Sequence, residues 1–172
     1  FEYLNVRNAM MHENQDDDVY QYRDYINRLS SMFEKLEPRH YTKAMEWVED
    51  LKLPEDVVLT IAQEKLQQLT DGSRRKYPTA YLMKVFDTTA LDFANRGIRT
   101  VEDAKRELMR GRPSFKLAVK VLNHFGLRRS PTLPEIELAD KWLMDWQFDE
   151  KQVLAAIKLT TNSTNPSFAY LD

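Results

Sequence analysis

One stretch of the second half of the chain repeats a stretch of the first half at a constant offset of 95 residues. The two segments are 43–62 and 138–157, and in this register Trp47 aligns with Trp142. The other similar pairs include Val48 with Leu143, Asp50 with Asp145, Glu55 with Glu150, Val58 with Val153 and Leu59 with Leu154. A self-match at one fixed offset indicates that a supersecondary unit occurs twice. The sequence therefore predicts two small modules of similar plan.

Apolar residues recur along most of the chain at three- and four-residue spacing, which is typical of amphipathic helices. The chain has only four glycines, few for a sheet protein with its many tight turns, and it has no long alternation of apolar and polar residues. We therefore predict an all-α fold. The expected helices are 22–36, 41–51, 54–69, 81–93, 101–109, 115–125, 134–146 and 150–159. Gly97 is expected to end the fourth of them in a left-handed conformation, and Asp149 is expected to cap the start of the last.

Three domains are predicted from these patterns. Residues 1–37 form an N-terminal helix, 38–127 a first helical module with a helical extension, and 128–172 a second module. The junction falls in the segment Leu127–Pro134, which has two prolines, two arginines and no apolar periodicity. The third helix of the second module is expected to be incomplete at Asp172, and the chain is expected to be a fragment of a longer protein.

The net charge of −2 hides an uneven distribution of charged side chains. Residues 1–60 hold 13 acidic side chains against 7 basic ones, whereas residues 94–131 hold ten basic side chains against three acidic ones. A basic segment of this kind is typical of polyanion binding. Solvated helix faces carry similar charges, so both interpretations stay open at this point.

The second module has a recognisable pattern of aromatic and apolar positions, given by Leu133–Glu137, Asp140–Leu143, Trp146–Asp149, Val153–Ile157 and Asn165–Leu171. This pattern resembles the DnaD-like replication domain of the bacterial DnaD and DnaB primosome proteins. In that family the third helix begins with a tyrosine, followed by an Ile-like residue four positions on and a tryptophan eight positions on. Tyr170 matches the tyrosine in the second module. In the first module Tyr81 and Val85 match, and Thr89 stands where the family has tryptophan.

The resemblance implies a non-enzymatic role in replication initiation, and two modules in tandem resemble the DnaB member more than DnaD. Members of the family bind DNA, associate into homo-oligomers and help to recruit the replicative helicase or its loader. The alternative is a helical protein-interaction scaffold of a phage or bacterium with no affinity for DNA. The overall pI of about 6.0 favours the scaffold, and the basic central segment favours the DNA-binding module.

The residues predicted to contact DNA are basic side chains and two tyrosines: Arg74, Arg75, Lys76, Tyr81, Arg96, Arg99, Arg128, Arg129 and Tyr170. Such basic side chains hold phosphates with little sequence preference. Tyrosines stack on unpaired bases, although a role in helix packing is the alternative for both of them. Trp47 and Trp142 are predicted to be core residues, whereas Trp146 aligns with Leu51 and suits a surface or an interface.

The sequence shows no arrangement of residues that is typical of a catalytic site. It has no cysteine and only three histidines, which are far apart and lack metal-ligand spacing. We therefore predict no catalytic residue, no metal and no cofactor. No stretch is apolar over the roughly 18 residues that a membrane span needs, and a cytoplasmic protein is expected.

Overall fold

The computed structural model describes residues 22–70, 77–160 and 168. Every regular element in these ranges is an α-helix, so the predicted all-α class is confirmed. The helices are α1 (Arg23–Ser30), α2 (Pro38–Glu49), α3 (Glu55–Thr70), α4 (Thr79–Arg96), α5 (Val101–Met109), α6 (Pro113–His124), α7 (Leu133–Met144) and α8 (Glu150–Thr160).

The chain divides into two compact units after Val101. The first unit contains α1 to α4, and the second contains α5 from Glu102 onward together with α6 to α8. The predicted modules were defined instead by the sequence repeat, with their junction after residue 127. That division of the repeat stays a prediction.

Helix α1 ends at Ser30, six residues before the end of its apolar stripe at Leu36. The Ser31 hydroxyl donates to the carbonyl of Arg28 at 2.7 Å. In a continued helix that carbonyl would accept from the Met32 amide, so the hydroxyl competes with the helical hydrogen bond. The amides of Met32 and Phe33 then donate three residues back, which tightens the chain into a turn. Periodicity alone therefore predicted too long a helix.

The core of the first unit surrounds α3, whose residues 57–62 are all buried. Helix α1 packs on α3, and the buried Tyr25 hydroxyl donates to the Ala44 carbonyl of α2 at 2.9 Å. Burial raises the pKa of the Tyr25 phenol, and the nearby Glu55 carboxylate adds to the effect. Helix α4 packs on both α2 and α3 and ends, as predicted, at a left-handed Gly97 with φ of 70°.

The repeated segments fold into helical hairpins with matching boundaries. Helix α2 covers 38–49 and α7 covers 133–144, while α3 begins at 55 and α8 at 150, so each pair of boundaries differs by 95. The turns match as well, because Lys52 and Gln147 both have a positive φ, 55° and 53°.

The same hydrogen bonds close both turns. The Leu53 amide donates to the Trp47 carbonyl at 3.2 Å, and the Phe148 amide donates to the Trp142 carbonyl at 2.9 Å. These bonds close the carboxyl end of the first helix with one left-handed residue. The offset of 95 therefore holds for the backbone as well as for the sequence.

The second unit has its own core around Trp142. The Trp142 ring stacks on Phe168, with centroids 5.7 Å apart and planes 9° apart. Helix α6 packs on α7 and α8 and supplies the buried Leu117 and Val121. This packing fixes α6, and with it the loop that follows, against the start of α7.

Candidate nucleic-acid interface

The second unit has a cleft of about 650 Å³ lined by three arginines. Its walls, which we call the basic cleft, are Arg110, Phe115, Val119, Asn123, Arg128, Arg129 and Ser130. Phe115, Val119 and Asn123 lie on α6, and Arg110 follows the end of α5. The remaining three residues belong to the loop between α6 and α7.

The ends of two helices define the conformation of that loop. Gly126 takes a left-handed φ of 76° after α6, and the Leu127 amide donates to the Leu122 carbonyl at 2.9 Å. At the other end Thr132 and Glu135 form a capping box at the start of α7. The loop is therefore held at both ends, and its arginines face the cleft from a supported backbone.

Arg129 is committed to an ion pair within the protein. Its two terminal nitrogens lie 2.8 and 2.7 Å from the two carboxylate oxygens of Glu135. The hydrogen bond from Arg129 lowers the pKa of Glu135, and the Thr132 amide contributes to the same shift. A bidentate pair of this kind neutralises much of the charge of both groups. Arg129 therefore fixes the loop to α7 more than it offers charge to a ligand.

Arg128 differs from its neighbour, because its side chain is exposed and makes no hydrogen bond or ion pair with any residue that the structure describes. A guanidinium has five donors in a planar fork that matches a phosphate. Arg128 is therefore the residue of the loop that has its full charge and donor set available to a ligand.

Arg110 lies at the same cleft and makes one ion pair, so it is less engaged than Arg129 and more engaged than Arg128. One of its terminal nitrogens is 3.2 Å from a Glu107 carboxylate oxygen, and its guanidinium lies 5.8 Å from the centroid of the Phe115 ring. The Arg110 side chain is 60% exposed and the Glu107 side chain 14% exposed, so a ligand can reach the guanidinium from the solvent while it holds this ion pair. Arg110 belongs to the basic segment but was not among the residues predicted to contact DNA, and the surplus of charge over 94–131 was the only signal for it.

Arg96 and Arg99, two of the arginines that were predicted to contact DNA, have partners inside the protein. The Arg99 guanidinium donates to four backbone carbonyls, those of Leu51, Phe93, Ala94 and Ile98, at 3.3 to 3.5 Å. It thus closes the carboxyl end of α4, where a cation is also favoured by the helix dipole. Arg96 pairs with Asp92 one helical turn away, at 3.1 Å on the surface.

Tyr81 is 46% exposed on α4 and stacks on Tyr77, with centroids 5.3 Å apart and planes 21° apart. The exposed ring of Tyr81 is of the kind that stacks on an unpaired base. The pair follows directly after Arg74, Arg75 and Lys76, which lie outside the described residues, as does Tyr170.

The two aligned tryptophans are buried, with Trp47 0% and Trp142 2% exposed. Their rings therefore belong to the cores of the two units, whereas Trp146 is 40% exposed. Among the described residues, no group of three His, Asp or Glu side chains is placed to hold a metal ion.

Comparison with known proteins gave one family. Residues 26–108 match the DnaB_2 family model, which is described as replication initiation and membrane attachment. The matched part contains α2 to α4, and thus the whole first hairpin, and most of α5, while every residue that lines the basic cleft lies beyond it. No curated protein and no solved structure matches the chain. None of the described helices is both long enough and apolar enough to cross a membrane.

Proposed function

We propose that this chain is a non-enzymatic module of DNA-replication initiation that binds the phosphates of DNA in its basic cleft. The observation that carries the proposal is the exposed Arg128 guanidinium, which is unengaged within the described part of the chain and shares a cleft with Arg110. The description of the family matched by residues 26–108 supports the role in replication. The ten basic side chains of segment 94–131 support a polyanionic ligand.

The chemistry of the cleft favours contacts to the backbone of DNA over contacts to its bases. Arg128 and Arg110 are donors for phosphate oxygens, and phosphate contacts position a protein without reading the sequence. Ser130 and Asn123 add uncharged polar groups at the same walls. We therefore expect binding with little sequence preference and a steep dependence on salt.

We also infer that the two hairpins are copies of one module. The constant offset of 95 in the helix boundaries, in the positive-φ residues and in the turn hydrogen bonds supports this inference. The resemblance to the DnaD-like domain extends the proposal to self-association and to recruitment of the replicative helicase or its loader.

Fluorescence anisotropy of a labelled single strand and a labelled duplex, at low and at moderate salt, tests the proposal. Replacing both Arg110 and Arg128 by alanine should weaken binding. It should also make the fall of log K with log salt shallower by about two, close to one per lost phosphate contact. Lys151→Ala is the matched control, because it removes an exposed positive charge from the same unit outside the cleft.

Two other outcomes would redirect the assignment. Absence of binding even at low salt would exclude the DNA-binding function and favour the helical protein-interaction scaffold. Binding that keeps its salt slope in the double variant but loses it when Arg74, Arg75 and Lys76 are replaced by alanine would move the site to the first unit.

A further inference from the structure

A second cleft, of about 510 Å³, borders the basic cleft in the same unit. We call it the lysine cleft, because Lys116 and Lys120 of α6 line it. It shares Arg110, Phe115 and Val119 with the basic cleft. Phe115 and Val119 lie four residues apart on α6, so their side chains are neighbours on one face of the helix. They form the ridge at which the two clefts meet.

Apolar side chains from two helices line the lysine cleft. Pro113 is the first residue of α6, Val119 lies in the middle of the same helix, and Leu143 lies near the end of α7. Val119 and Leu143 are half-buried and pack against the core around Trp142, which supports them from behind. Sites for organic ligands are clefts of ~300–1,000 Å³ with mainly apolar walls and a few polar groups. The lysine cleft has the size and the lining of such a site.

The charged residues of the lysine cleft are three basic side chains and one carboxylate. Lys120 pairs with Glu150, the first residue of α8. Lys116 is exposed, and its ammonium makes no hydrogen bond or ion pair with any side chain in the described part of the chain. Arg110, at the wall common to both clefts, can be reached from the solvent. The ligand that suits this cleft therefore combines an apolar body with a negative charge.

A nucleotide unit of a single DNA strand has both properties, because the flat faces of its base are apolar and its phosphate is an anion. In a duplex the bases are paired and stacked inside the helix, so they cannot enter a cleft beside the phosphates. The bases of a single strand are free to rest on apolar side chains while basic side chains hold the backbone. An apolar cleft and a basic cleft that share one wall therefore fit a single strand better than a duplex.

We propose that the lysine cleft takes an unpaired base of the DNA strand whose phosphates the basic cleft holds. Val119 and Leu143 contact the base, Arg110 binds the phosphate between the two clefts, and Lys116 binds the next phosphate along the strand. This inference rests on the proposed function and names the form of DNA that the site prefers. A duplex is bound by the basic cleft alone and therefore more weakly.

An abasic strand separates the base from the phosphates. The probes are a labelled oligothymidylate of about 12 nucleotides, within the range of single-strand sites, an abasic strand of the same length, and the oligothymidylate paired with its complement. Fluorescence anisotropy with the whole chain should show the intact strand binding about tenfold more tightly than the abasic strand. The salt dependence of the two should be the same, because both carry the same phosphates.

Two variants test the residues of the lysine cleft. Val119→Lys adds a positive charge but obstructs the apolar wall, so it should remove the preference for the intact strand over the abasic one. Leu159→Lys is the matched control, because it adds the same charge at a position that is 84% exposed and lines neither cleft. Lys116→Ala, at an exposed position, should make the fall of log K with log salt shallower by about 0.7 for the single strand and leave the duplex unchanged. Circular dichroism checks that each variant keeps its helices.

Equal affinity for the intact and abasic strands would overturn the base site and leave the proposed function standing, because the phosphates would still be bound. Absence of binding by all three probes at low salt would overturn both. A Val119→Lys variant that keeps the preference for the intact strand would place the base elsewhere. Vesicles of phosphatidylglycerol that bind the wild type but not Leu143→Ser, while the strand binds both equally, would assign the apolar wall to lipid and also overturn the base site.

Discussion

The indole Nε1 of Trp47 donates to the carboxylate of Asp87 at 2.9 Å, and this bond joins α2 to the middle of α4. Trp47 is completely buried, so removing the carboxylate leaves its N–H without this acceptor. An unsatisfied buried donor costs about 1–3 kcal/mol. We expect Asp87→Ala to lower the free energy of unfolding by about that amount, measured by urea denaturation.

Two further variants isolate this hydrogen bond. Asp87→Asn keeps an acceptor oxygen and should lose clearly less stability than Asp87→Ala. Asp92→Ala removes a carboxylate from the exposed side of the same helix and should cost less than about 0.5 kcal/mol. Equal losses for the asparagine and alanine variants would contradict the role given to the acceptor.

The two hairpin turns each contain a residue with a side chain in the left-handed region, Lys52 and Gln147. That conformation is unfavourable for residues other than glycine. Replacing either residue by glycine should therefore raise the free energy of unfolding, by about 0.5–1 kcal/mol after the added chain entropy of glycine. Lys151→Gly, placed inside α8, should instead cost about 1 kcal/mol. If glycine stabilised the chain at one of these positions, Lys52 or Gln147, and destabilised it at the other, the two turns would not be equivalent.

Glu135 makes the stability of the second unit depend on pH. Its pKa in the folded chain lies below the ordinary value of 4.5, because Arg129 and the Thr132 amide stabilise the carboxylate. A lowered folded pKa means that the stabilisation is present above the ordinary value and is lost as the pH falls through the folded pKa. The melting temperature of the wild type should therefore decrease as the pH is lowered below about 4.5.

Glu135→Gln tests that dependence, because the amide keeps an acceptor for the Thr132 amide and removes the charge. The variant should have a lower thermal midpoint near neutral pH and a flatter decline under acid conditions. A decline as steep as that of the wild type would assign the acid sensitivity to other carboxylates.

The Ser114 hydroxyl is buried at the start of α6, with the residue 1% exposed, and it finds no hydrogen-bond partner among the described residues. Removing a buried hydroxyl that lacks a partner relieves its desolvation penalty. Ser114→Ala should raise the free energy of unfolding by about 1 kcal/mol. Ser130→Ala, at an exposed position, should change it little, and a loss of stability in Ser114→Ala would show that the hydroxyl is bonded.

The helices and their order could be predicted from the sequence because they depend on local patterns. The repeat fixed the two hairpins, and Gly97 and Asp149 were placed correctly at helix ends, where Asp149 accepts from the Gln152 amide at 2.8 Å. The early end of α1 was missed, because it depends on a competition between the Ser31 hydroxyl and the backbone that periodicity does not record.

The state of each arginine could not be predicted, because it depends on contacts made by the folded chain. Arg99 reaches the carbonyl of Leu51, 48 residues earlier, and Arg129 reaches a carboxylate across a turn. Both resemble Arg128 in the sequence, yet Arg128 alone of these three has no partner among the described residues. Counting charges therefore located the basic segment but did not identify the arginine with its full charge available.

Two hairpins of one plan on a single chain create a pairing ambiguity during folding, because the backbone on which α4 packs occurs twice. Residues 71–78 separate α4 from the first hairpin, while residues 97–132 separate it from the second. Closing the shorter loop costs less chain entropy, and the first hairpin also leaves the ribosome earlier. Sequence order thus favours packing of α4 on the first hairpin before the second hairpin has been synthesised.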